Sequence, residues 1–172
     1  MSRWTTLVAF LALVGCSGDG DDACGEPPED YVVSEGAVDH TCEHVTDGPF
    51  GDLSASALDA TDGPLLENEH MLYTVALPET GDGAFAGTVT FRPAFSSTYV
   101  FNLVQDGPVE LLAADDGSEP CRAASQALEG CAGLAVAELF SLEAKRTYLV
   151  RLGPFDTSTL ELVVEEHIAT AK

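Results

Sequence analysis

The chain is short of positive charge. Seven Lys and Arg stand against 29 Asp and Glu, for a formal net charge of −22. Only Arg92, Arg122, Lys145, Arg146, Arg151 and Lys172 follow the first fifteen residues. A polymer of that sign is repelled by phosphate, so nucleic acid and anionic headgroups are excluded as partners, while cations are drawn to it. Tryptophan is nearly missing too: the single Trp is Trp4. Tyr73, Tyr99 and Tyr148 fall on alternating apolar positions, so Tyr31 alone is left as a free ring and a broad sugar-stacking platform is not expected. Catalytic signatures are also lacking. The sequence holds no HExxH, no GxSxG and no phosphate-binding glycine loop. No CxxC pair suggests a thiolate metal site. We therefore expect a non-enzymatic protein.

An uncharged apolar stretch runs from Trp4 to Gly15 and is too short to span a bilayer, which takes about 20 apolar residues. It follows Arg3 and ends in Leu13-Val14-Gly15-Cys16, the pattern of a signal peptide over residues 1–15. The ending resembles the lipobox of bacterial lipoproteins. The resemblance implies a diacylglyceryl Cys16 at the mature N-terminus, several acyl chains holding the protein to a membrane, and an outer-membrane destination because Ser17, not Asp, follows. Residues 16–30 read CSGDGDDACGEPPED, a Gly-, Asp- and Pro-rich tether with nothing to bury. The domain proper is expected over 31–172.

Four cysteines remain in that exported part: Cys24, Cys42, Cys121 and Cys131. An even number in an oxidising compartment is read as two disulfides, with three connectivities open.

Beyond Tyr31 the apolar residues alternate. Tyr73, Val75 and Leu77 share a face, as do Phe85, Gly87, Val89 and Phe91, then Tyr99, Phe101 and Leu103. Val109 and Leu111, Tyr148 to Leu152, and Leu160 to Val164 repeat the pattern; weaker strands lie within 50–58 and 134–142. Period-two alternation marks strands with one face on a core. Asp-Gly pairs at 47–48, 62–63, 82–83, 106–107 and 116–117 supply turns. The segment 118–133 does not alternate and is read as a loop with one helical turn near 123–128. These features predict an all-β, jelly-roll-like antiparallel β-sandwich of seven to eight strands. The rhythm of residues 93–101 and 142–152, with Thr147-Tyr148 after a tight turn, resembles the pre-peptidase C-terminal type of domain. That resemblance implies the same fold on a secreted bacterial protein, and no reaction.

Histidine offers the one candidate site. His40 and His44 flank Cys42 in HTCEH, and His70 precedes the Tyr73 strand. On an extended strand His40 and His44 would share a face about 13 Å apart, too far for one metal. A turn at Cys42 would close that gap, and His70 would join His44 if the strands near Phe50 and Tyr73 lay side by side in parallel. Imidazole suits zinc or copper(II). The plainer reading is three histidines hydrogen-bonded to neighbours and no cofactor. His167 is read as exposed in a polar tail. Asp115-Asp116 and Asp19, Asp21 and Asp22 invite calcium, but no EF-hand spacing is present, and turns account for them. Two functions follow: a lipid-anchored cell-envelope protein whose sandwich binds an envelope protein or small ligand or serves as structure, or an extracytoplasmic metal binder using His44 and His70.

Overall fold

A computed structural model describes residues 32–128 and 133–167. The signal segment, Cys16, the tether, Cys24, Tyr31 and Cys131 lie outside the described residues.

The first element is a helix, α1 (Glu35–Asp47), where an extended HTCEH segment was expected. Ser34 caps it, its side chain accepting a hydrogen bond from the Ala37 N–H at 3.2 Å. Glu35 sits in the first turn, where a negative charge suits the helix dipole. The helix stops at Gly48, whose φ of 78° lies in the left-handed region that Gly enters without steric cost. Asp47-Gly48 is therefore a helix end and not a hairpin. Ala37, Val38, Cys42 and Val45 recur at helical spacing and pack together.

Among the described residues ten strands follow: β1 (Phe50–Ser54), β2 (Leu65–Leu66), β3 (Leu72–Ala76), β4 (Phe85–Phe91), β5 (Ser97–Leu103), β6 (Val109–Ala113), β7 (Cys121–Ala127), β8 (Val136–Leu142), β9 (Tyr148–Phe155) and β10 (Thr159–Glu166). They form a six-stranded sheet, β1-β3-β10-β5-β8-β7, and a four-stranded sheet, β2-β4-β9-β6. Strands pair from the outside inward, β3 with β10, β4 with β9 and β5 with β8, which is the wrapping of a jelly roll. The all-β sandwich stands, with ten strands in place of seven or eight. Two pairs, β1–β3 and β2–β4, are parallel. Segment 118–133 is corrected: Cys121–Ala127 is an edge strand on β8, not a helical turn, with a register shift between Arg122 and Ala124. Its Ala, Arg and Gln favour a helix, but burying Ala123 against β8 and the second cluster overrides that local preference.

Two cores result. Between the sheets lie Tyr73, Val75, Val89, Phe91, Phe101, Leu111, Tyr148, Val150 and Leu162, all at most 4 % exposed. Phe101 meets Phe91 and Phe140 edge-on at centroid distances of 5.6 and 5.8 Å. The second core lies on the outer face of the six-stranded sheet, where Val100, Ala137 and Leu139 are covered by α1 and by Val33. The sheet is thus apolar on both faces there, which is why β8 does not alternate cleanly. Cys42 in α1 and Cys121 in β7 are each disulfide-bonded.

Candidate metal centre

The helix brings the first two histidines together. Four residues apart on α1 puts side chains about 5–6 Å from one another, instead of the strand's 13 Å. His40 Nε2 and His44 Nε2 are 3.3 Å apart, and the rings meet edge-on at 4.6 Å between centroids. His70 arrives from the turn before β3. It holds a left-handed φ of 59°, and its N–H donates to the Val164 carbonyl at 3.0 Å, so backbone pairing fixes it beside β10. The parallel β1–β3 pair sets Phe50 opposite Leu72. This carries the chain entering β1 from α1, and the His70 turn entering β3, to the same rim. The His70 ring centroid is 5.4 Å from each of the other two.

The fourth member is Glu165, which the sequence reading did not single out. On β10, Leu160, Leu162 and Val164 face the inter-sheet core, so Val163 and Glu165 face the other way, under α1. Glu165 is 6 % exposed. Its Oε1 lies 3.3 Å from His70 Nδ1, 3.6 Å from His44 Nε2 and 3.9 Å from His40 Nε2. The ligand atoms of all four residues fall within 4.8 Å of one another. Around a zinc ion with bonds of about 2.0–2.1 Å, a tetrahedron of ligands has edges of about 3.3–3.4 Å. The shortest contacts, His40 Nε2 to His44 Nε2 and His70 Nδ1 to Glu165 Oε1, both 3.3 Å, match that edge.

The surrounding bonds orient these groups. His44 Nδ1 lies 3.1 Å from the Gly48 carbonyl. The carbonyl can only accept, so Nδ1 carries the proton and Nε2 presents its lone pair to the cluster. The other oxygen of Glu165 accepts from the Thr41 hydroxyl at 2.6 Å. Thr41 is fully buried and in turn accepts from Asn102 Nδ2 at 3.4 Å. This leaves Oε1 for the histidines and ties the carboxylate to both α1 and β5.

The electrostatics point the same way. A buried carboxylate carries a desolvation cost unless a positive partner compensates it. Three imidazoles at these spacings repel if all are protonated, whereas one central dication satisfies every lone pair at once. The neighbourhood is acidic: burial, then the Glu166 charge, pushes the Glu69 carboxyl above the usual range. His167 is corrected from an exposed position. It is partly buried, its N–H donates to the Thr98 carbonyl at 2.7 Å, and burial lowers its pKa.

The calcium candidates do not converge in this way. Asp115 and Asp116 pair with Arg146 at 2.9 and 2.8 Å. Asp116 also accepts from the Ser118 N–H across the turn. Hydrogen bonds from Ser118, with Arg146 close by, hold the Asp116 carboxyl below its usual range. Both groups are occupied in building a turn. Asp19, Asp21 and Asp22 lie outside the described residues.

No helix among the described residues is long and apolar enough to cross a membrane. No protein-family model and no curated protein matches the chain.

Proposed function

We propose that this protein binds a divalent transition-metal ion, zinc or copper(II), outside the cytoplasm. His40, His44, His70 and Glu165 supply the ligands, and Cys16 carries the lipid anchor. The observation that carries this reading is the convergence of four ligand atoms from three distant stretches of chain, one of them a buried carboxylate. Histidine and carboxylate at tetrahedral spacing suit zinc, and the nitrogen-rich set also suits copper(II). The net charge of −22 raises the local concentration of any dication.

Isothermal titration with zinc and with copper(II) tests it. The purified protein should take up one equivalent, and the His44→Ala, His70→Ala double variant should lose that uptake. Equal binding by both proteins, or by neither, removes the metal function and leaves a lipid-anchored structural or partner-binding sandwich.

A further inference from the structure

Two of the four ligands are held in place more firmly than the others. The Glu165 and His44 side chains are 8 % and 13 % exposed, whereas those of His40 and His70 are 51 % and 47 % exposed. Glu165 is pinned through Oε2 by the Thr41 hydroxyl at 2.6 Å, and His44 through Nδ1 by the Gly48 carbonyl at 3.1 Å. The pinned pair therefore sets the geometry that a metal ion meets.

Zinc and copper(II) ask for different spacings. A tetrahedron around zinc has every edge at about 3.3–3.4 Å. Copper(II) prefers a square plane, which at bonds of about 2.0 Å has sides of about 2.8 Å and diagonals of about 4.0 Å. In the pinned pair, Glu165 Oε1 and His44 Nε2 are 3.6 Å apart. That distance is within about 0.3 Å of the tetrahedral edge, but about 0.8 Å too long for the side of the square and about 0.4 Å too short for its diagonal. From the same oxygen, His70 Nδ1 lies at 3.3 Å and His40 Nε2 at 3.9 Å. A corner of the square needs two neighbours at about 2.8 Å, and the nearest of the three nitrogens is at 3.3 Å. Sulfur, which favours copper(I), is absent from the cluster. Cys42 stands between His40 and His44 in the sequence, but it is disulfide-bonded and packs against the second core. Calcium takes about 6–8 oxygen ligands, and the cluster has a single carboxylate.

We infer that the centre is built for zinc in particular. Four protein ligands close a tetrahedron around that ion, and copper(II) in the same place is held away from its preferred plane. Thr41 is a positioning residue, because it fixes the carboxylate whose other oxygen faces His44 at close to the tetrahedral distance. This inference rests on the metal reading above and narrows it to one ion.

Electron paramagnetic resonance of the protein loaded with one equivalent of copper(II) reads this geometry. The copper hyperfine splitting along the unique axis narrows as a square plane is twisted toward a tetrahedron. It should be narrower here than in the square-planar complex of copper(II) with four imidazoles. One equivalent of cobalt(II), a stand-in for zinc, should show the intense visible bands of a tetrahedral ion. Thr41→Val keeps all four ligands and frees the carboxylate. Its copper splitting should widen toward the square-planar value while zinc affinity falls about 10–100-fold, and Thr41→Ser, which keeps the hydroxyl, should retain the narrow splitting. A splitting equal to that of the imidazole complex, or the weak bands of octahedral cobalt, overturns the zinc geometry and leaves the metal reading standing. A narrow splitting that Thr41→Val does not widen overturns the role of Thr41. Failure to take up either ion overturns both readings.

Discussion

Thr41 offers a test of the centre that leaves all four ligands in place. The side chain is fully buried, and its hydroxyl lies 2.6 Å from Glu165 Oε2 and 3.0 Å from the Ala37 carbonyl. With a single proton to give, it favours the shorter contact, to a charged acceptor. Thr41→Val keeps the volume and the branching and removes only the hydroxyl. Glu165 then loses a charge-assisted hydrogen bond, worth about 1.5–3 kcal/mol, and the Asn102 Nδ2 donor loses its acceptor. The metal-free protein should therefore lose about 2–3 kcal/mol of stability in urea or guanidinium unfolding. Carboxylates and groups that orient metal ligands are typically worth 10–100-fold in metal affinity, so zinc binding should weaken by about that factor, with the stoichiometry still one. Unchanged stability together with a zinc affinity altered less than about threefold would refute the Asn102–Thr41–Glu165 chain as the support of the centre.

Phe101 lies between the sheets at 1 % exposure, so Phe101→Ala should cost about 3–5 kcal/mol in chemical denaturation; a loss under about 1 kcal/mol would mean that the ring does not fill the core. Cys24, Cys42, Cys121 and Cys131 should all be oxidised, so alkylation without reduction should add no mass to them, and labelling of any of the four contradicts the pairing. Mass spectrometry of the mature N-terminus should find an acylated Cys16, and Cys16→Ser should abolish acylation. An unmodified chain starting elsewhere removes the anchor.

The sandwich is legible wherever one face of a strand is buried and the other is not. Tyr73 and Val75, Val89 and Phe91, and Tyr99 to Leu103 alternate in sequence and line the inter-sheet core in space. Legibility fails where tertiary packing overrides the local pattern. β2 is two residues long, too short for any periodicity. β7 is written in helix-favouring residues and held extended by its neighbour. The helix α1 was missed although its signals are present: Ser34 before Glu35, apolar residues at 37, 38, 42 and 45, and Gly48 at the end. Reading HTCEH as extended put the two imidazoles too far apart, and the helical turn is what joins them. Glu165 was hidden among 29 acidic residues. Its only sequence mark is its place two residues after Val163, on the face of β10 opposite Leu162 and Val164, and that face is buried only because α1 lies over it.

The final strand of the fold has a consequence for the order of events. β10 is the last strand among the described residues, yet it occupies an interior position in its sheet, between β3 and β5. It also delivers Glu165 to histidines 95 to 125 residues earlier in the chain. Such non-local pairings form late because loop closure must precede them. The ligand set is therefore absent from every partly folded chain that has not yet inserted this strand. An emerging or unfolded polypeptide, for all its negative charge, attracts cations without holding one in place. On the proposed metal reading, loading would be a property of the finished molecule, and occupancy of the centre would report that folding has run to completion.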